Sequence, residues 1–128
     1  MNEHAFIRSI HKKIPKKVTI WKINDVYQGG VPDAMYLGKQ ALWVEYKYIK
    51  ALPKRESTII RHSLTEQQTL WLNKLNSAGT QAVLVLGSPS KCYIIPSNFD
   101  QPISVKTYKK HCVSINTYVD WLVNSTTV

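Results

Sequence analysis

At 128 residues the chain has the length of one domain, long enough to bury a core of its own and too short for two. Hydrophobic residues make up 44% and charged residues 20%, with no low-complexity tract, which excludes a disordered or fibrous chain. Seventeen Lys and Arg against eight Asp and Glu leave a formal charge of +9, which points to a polyanionic partner without naming an activity.

Residues 3–13 are expected to form a helix capped by Asn2, with Phe6, Ile7, Ile10 and Ile14 on one face and Pro15 as the stop. Glu3 lies one turn before Phe6 and Ile7, so its carboxylate is expected to point toward whatever that face covers. "VTIWKINDV" reads as a strand, followed by the turn "YQGG", a short strand at 31–37, the turn "LGKQ" and the strand "ALWVEYKYI", a three-stranded meander. "ALPKRESTIIRHS" reads as a mobile, basic connecting loop.

"SLTEQQTLWLNKLNSAGT" is the clearest helix, opened by a capping box from Ser63 or Thr65 to Glu66 or Gln68 and closed by Gly79. Its expected buried stripe is Trp71, Leu72, Leu75 and Ala78, with Gln68 a polar amide on the same stripe. "QAVLVLG" is the apolar run of a central strand, "KCYIIP" follows as its neighbour, and a short helix is expected from Ser114 to Val123. The order is αβββαβ with strand and helix additions at the C-terminus: an α/β fold with a mixed central sheet flanked by helices, a single domain with a core at 1–96 and a C-terminal extension at 97–128.

The cations fall in three clusters: Lys12, Lys13, Lys16 and Lys17; Lys50, Lys54 and Arg55; Lys106, Lys109 and Lys110. These suit a phosphate backbone as well as they suit a solvated surface. No stretch approaches the ~20 apolar residues of a membrane span and the N-terminus lacks a signal-peptide run, so an intracellular protein is expected. Cys92 and Cys112 have no metal or redox spacing and read as free thiols, and His4, His11, His62 and His111 show no metal-ligand interval.

Side chains alternate along a strand, so Trp43, Glu45 and Lys47 share one face. If 31–37 pairs with 42–50 as a hairpin, Asp33 arrives beside them. Two carboxylates this close repel unless a proton or a hard cation such as Mg²⁺ sits between them. A cation held there can polarise a phosphoryl oxygen and acidify a bound water, and an adjacent ammonium can stabilise the developing charge, the equipment of phosphodiester hydrolysis. From spacing alone, a solvent-facing Glu45–Lys47 pair with Asp33 as a turn residue is the commoner arrangement.

The wider context resembles the PD-(D/E)xK nuclease superfamily, in particular small stand-alone VRR-NUC and Holliday-junction-resolvase-like members. The resemblance is carried by an acidic residue in the first helix, "GVPD" at 30–33, "EYK" at 45–47, and "LTEQQTLWLNKLNSAG" leading into an apolar strand. It implies a restriction-endonuclease-like αβββαβ core, Asp33 and Glu45 as metal ligands joined by the carbonyl of Tyr46, Lys47 as the catalytic lysine, Gln68 as the helix glutamine approaching the site, and Glu3 as the first-helix acid. Beyond residue 88 the resemblance fades, and target choice is a role open to the tail.

The expectation is therefore a Mg²⁺- or Mn²⁺-dependent endodeoxyribonuclease acting on branched or structured DNA, with homing- or restriction-type cleavage as a variant and a non-catalytic nucleic-acid-binding module as the rival class. Lys12, Lys13, Lys16, Lys17, Lys50, Lys54 and Arg55 are the expected DNA contacts. By family analogy a virus or mobile element is a fitting source. One site per chain and two strands to cut imply a homodimer, with the apolar residues Tyr118, Val119, Trp121 and Leu122 of segment 115–122 either forming its interface or packing on their own sheet.

Overall fold

The computed structural model describes residues 2–24 and 28–128. The elements run α1 (Glu3–His11), β1 (Thr19–Lys22), β2 (Ala34–Leu37), β3 (Ala41–Tyr48), α2 (Glu66–Ser77), β4 (Gln81–Ser88), β5 (Lys91–Ile95), α3 (Val105–His111), β6 (Val113–Ser114) and α4 (Ile115–Thr127). The strands form one six-stranded sheet in sequence order, antiparallel throughout except where β3 and β4 run parallel. A parallel pair needs a crossover, and α2 supplies it. Positions 25–26 of the expected first strand and position 27 of the expected turn lie outside the described residues, and among the described residues β1 is shorter than "VTIWKINDV" suggests.

Alternation divides the core in two. On one face Ala34, Tyr36, Leu42, Val44, Tyr46, Val83, Val85 and Cys92 pack against Phe6 and Ile10 of α1 and Tyr118, Val119 and Leu122 of α4. On the other, Ala82, Leu84, Leu86 and Ile95 pack against Leu72 of α2 and Val105 and Tyr108 of α3. β4 is buried on both faces, which explains its unbroken apolar run. Gly87 in that strand accepts the Phe6 ring where a side chain would stand, so α1 sits directly on the sheet.

Capping decides the helix starts. Asn2 accepts from the Ala5 N–H (2.9 Å), and Thr65 and Gln68 form a reciprocal capping box. Ser104 and Ser114 cap α3 and α4 in the same way. Within α2, Leu72 is fully buried, Trp71 and Leu75 are half-buried, and Ala78 is exposed at the C-cap, so the expected stripe is one residue too long. Trp71 instead lies under the Lys74 ammonium, 5.2 Å from the ring centroid.

Two features of the tail differ from expectation. α3 stands where no element was expected, the two-residue β6 takes Ser114 from the expected start of the last helix, and α4 runs from Ile115 to Thr127, four residues past Val123. Of the four apolar residues named above for this segment, Tyr118, Val119 and Leu122 are buried in the chain's own core, and Trp121 is half-buried, stacked on the Tyr118 ring. The basic stretch after β3 is not a free loop either. The Ile60 N–H donates to the Ile103 carbonyl (2.8 Å), Val105 to Thr58 (2.9 Å) and Lys106 to Glu56 (2.9 Å), tying 56–60 to 103–106. Among the described residues no helix is long and apolar enough to cross a membrane. Cys92 and Cys112 are free, and burial pushes the Cys92 thiol up to about 12.

A chain of hydroxyls crosses the first core. His11 Nε2 bonds Tyr36 Oη (2.8 Å), Tyr36 Oη bonds Tyr46 Oη (2.7 Å), and Tyr46 Oη bonds Tyr118 Oη (2.7 Å), linking α1, β2, β3 and α4. Tyr46→Phe removes two of these bonds and leaves the fully buried Tyr118 hydroxyl without a partner, whereas Tyr118→Phe removes one and strands nothing. The expected losses are about 3 kcal/mol for the first and about 1 kcal/mol for the second, read from urea midpoints. Equal losses would mean that the chain does not act as connected bonds.

Candidate active site

The β2–β3 register pairs Ala34 with Val44 and Met35 with Trp43, so the residue before Ala34 lies beside Glu45. Glu45 and Lys47 in turn pair with Leu84 and Leu86 of β4, which sets their side chains on the α2 face of the sheet. Asp33 is held there by its own neighbour's backbone, its Oδ2 accepting the Tyr46 N–H at 2.8 Å. Glu45 is the centre of the group and only 2% exposed. Its Oε2 accepts from Gln68 Nε2 (3.2 Å) and faces Lys47 Nζ (3.8 Å), while its Oε1 is buried with no hydrogen-bond partner.

Gln68 reaches this position because α2 starts where it does. Its Oε1 accepts from the Thr65 N–H in the capping box, leaving its amide nitrogen free to point at Glu45. The first turn of α2 also presses against the loop before Asp33. A Cβ added to Gly30, at φ +87, would lie 2.7 Å from the Gln67 carbonyl carbon, so only glycine permits this approach. The same helical turn thus places Gln68 and braces the chain that carries Asp33.

Electrostatics concentrate on the buried acid. Burial, then the nearby Asp33 charge, push the Glu45 carboxyl up to about 9, against the lowering influence of Lys47. Glu3, half-buried at the start of α1, is raised by burial and then by Asp33, and Lys47 lowers it. Three carboxyl groups from α1, the β2 approach and β3 therefore feel one another and one ammonium. Among the described residues they do not close into a ready cluster of three or more His, Cys, Asp and Glu side chains around one point. The oxygen donors nonetheless fit a hard cation: Glu45 Oε1 lacks a partner, and both Asp33 and Glu45 are rigidly supported.

Sequence reasoning did not single out what lies next to this group. A cleft of about 410 Å³ is lined by Glu3 and Asp33 together with His4, Arg8, His11 and Lys22. The positions 4, 8 and 11 are the only signal for it, a polar stripe at helical spacing. His11 is held neutral, its imidazole lowered to about 4 by burial and then by Lys22. His62 is lowered by burial and then by Lys47, and accepts from the Leu64 N–H (3.2 Å) across Ser63, whose φ is 61. The expected nucleic-acid residues separate. Lys50 shares a hollow with Asn2 and Tyr48 near the start of α1. Lys12, Lys13, Lys16 and Lys17 lie at the other end of α1, where Lys13 and Lys17 adjoin Val119 and Asp120 of α4. The structure does not bring that cluster to the carboxylates.

No family model and no curated protein sequence matches the chain. Among solved structures, Archaeoglobus fulgidus Hjc, a Holliday junction resolvase from an archaeal hyperthermophile, aligns with a TM-score of 0.56 at 16% identity, over 91% of this chain and 97% of that one. At that identity the likeness shows the fold: a restriction-endonuclease-like α/β core, with the mixed sheet and flanking helices described above.

Proposed function

We propose that the protein is a divalent-metal-dependent endodeoxyribonuclease of the PD-(D/E)xK kind, acting on branched or otherwise structured DNA. The observation that carries the reading is the convergence of Asp33, Glu45 and Lys47 on one sheet face, with a buried Glu45 oxygen left unpartnered. The fold shared with a Holliday junction resolvase supports the same reading. Asp33 and Glu45, with the Tyr46 carbonyl, are the residues that would hold the ion, and Glu3 the acid at the rim. When bound, a Mg²⁺ or Mn²⁺ ion supplies the charge that polarises a phosphoryl oxygen and acidifies a water.

The chain's own groups do the rest. Lys47 sets an ammonium beside the reacting phosphate, where it offsets charge as it develops and orients the attacking water. Gln68 fixes the Glu45 carboxylate in one orientation. The cleft lined by Arg8 and Lys22 accepts the neighbouring part of the strand. Because one chain offers one such site, cutting both strands calls for two copies. Tyr118, Val119 and Leu122 of α4 are committed to the chain's own core, which leaves its half-buried Trp121 and exposed polar face for such a contact.

Incubation of the purified protein with linear, single-stranded, flapped and four-way DNA, with and without Mg²⁺, tests the reading. Cleavage of the branched substrates in Mg²⁺ and none in excess EDTA is expected. Tight DNA binding with no cleavage under any divalent ion would instead favour a non-catalytic binding module, and cleavage confined to one linear sequence a restriction- or homing-type enzyme.

A further inference from the structure

We propose that the 50–63 loop and α3 form a single DNA-binding platform, which holds the phosphate backbone of a duplex arm leading away from the carboxylate site. Lys54 and Arg55 lie some fifty residues from Lys106, Lys109 and Lys110 in sequence, yet the structure stitches the two segments together. Ile60 donates to Ile103, Val105 to Thr58 and Lys106 to Glu56, and Ile59 bridges Ser104. Arg55 accepts from the Thr58 N–H in a turn that abuts the first turn of α3, so its position is set by the same contacts.

All five cations are exposed, and among the described residues the ion pair within 4.0 Å is Lys47–Glu45, so none of the five is spent on an internal partner. Cations at a helix C-terminus complement its dipole, which accounts for Lys109 and Lys110 but not for Lys106 in the first turn. Lys106 and Lys110 are four positions apart and therefore lie on one side of α3 about 6 Å apart along the axis, a spacing suited to successive phosphates.

The platform is joined to the site at both ends. The loop leaves β3 just after Lys47 and returns at Thr65, the cap that places Gln68 on Glu45. Val105 and Tyr108 of α3 belong to the same core cluster as Leu84 and Leu86, the β4 partners of Glu45 and Lys47, and the Tyr108 hydroxyl bonds Ser88 at the end of β4 (2.6 Å). A backbone passing the carboxylates on the α2 face therefore meets this cationic surface next, whereas the Lys12–Lys17 cluster lies beyond the far end of α1.

The inference rests on the reading of the protein as one that binds DNA, and its test separates the two. Fluorescence anisotropy with a four-way junction is measured against salt for the wild type, for Lys106→Gln/Lys109→Gln/Lys110→Gln and for Lys54→Gln/Arg55→Gln, with thermal melting as the control for folding. The slope of log affinity against log salt is expected to shrink by about one for each lysine or arginine that contacts phosphate, with affinity at 100 mM salt at least about tenfold weaker. Shortening the duplex arms should weaken the wild type and leave the triple variant nearly unchanged. A wild type with a steep slope and folded variants that match it would overturn the platform while leaving the nuclease reading intact. A wild type that binds no DNA would overturn both.

Discussion

Replacing Glu45 with glutamine is expected to stop cleavage and, at the same time, to make the metal-free protein more stable at neutral and alkaline pH. The two effects come from one fact: Glu45 is a carboxyl buried in the core beside another carboxylate, with an oxygen that has no partner. Its folded-state value, about 9, lies above the ordinary 4.5, so the folded chain retains a proton that the unfolded chain gives up. The stability tied to that proton is fully present below pH 4.5 and is lost as pH rises toward about 9, at a slope of at most about 1.4 kcal/mol per pH unit. Glutamine does not titrate, so the variant's stability should stay flat over the window in which the wild type declines. Added Mg²⁺ should restore the wild type, because an ion that binds the folded state alone stabilises it, and should do nothing for the variant. Cleavage should fall by on the order of 10³-fold or more, since both a ligand and the charge it carries are gone. Urea titrations from pH 5 to 9, with and without Mg²⁺, check the first effect and single-turnover cleavage the second. Parallel stability curves, or a variant that cuts at the wild-type rate, would remove Glu45 from the role given it here.

The parts of the site that could be read from the sequence are those set by short-range periodicity. Glu45 and Lys47 fall on one face because a strand has a period of two, and Asp33 joins them because a short turn at 38–40 fixes the hairpin register. Gln68 was legible for a related reason. The capping box that starts α2 is a local pattern, and it decides which way the first turn faces. The buried, partnerless oxygen of Glu45 was not legible, since it depends on how α2 and β4 close over β3.

Where the sequence misled, long-range contacts or weak periodicity are responsible. α3 has seven residues and only two of them, Val105 and Tyr108, are buried, so its cationic residues outweigh its apolar stripe. The loop before α2 is rich in charge and looks free, yet its order comes from backbone partners more than forty residues away, which no local pattern records. α4 posed a different problem. Its apolar residues were plain, but burial within a chain and burial between chains draw on the same composition, and only the packing of Tyr118 and Leu122 against β3 and its neighbours separates them.

The dependence of the site on the α2 contact leads to the second large effect. Gly30→Ala is expected to lower cleavage by about 10²-fold or more while Gly29→Ala, one residue away, costs little. At Gly29 an added Cβ meets the far end of the Gln67 side chain, 2.6 Å from its Oε1, and that amide can swing aside. At Gly30 it meets the Gln67 main chain, with the carbonyl oxygen at 2.9 Å, in a conformation of φ +87 that an L side chain rarely adopts. Helical backbone cannot swing aside, so either the loop or the first turn of α2 must shift. A shift of the loop moves Asp33, three residues on, and a shift of the helix moves Gln68, one residue on; misplacement of a reacting group by about 1 Å is enough for a loss of that size. Alanine at Gly30 should also cost about 1–3 kcal/mol in stability, measured by urea unfolding, from the strained backbone. If Gly30→Ala cleaves as fast as Gly29→Ala, then Asp33 and Gln68 are not positioned through this contact, and the coupling between the helix start and the carboxylates fails.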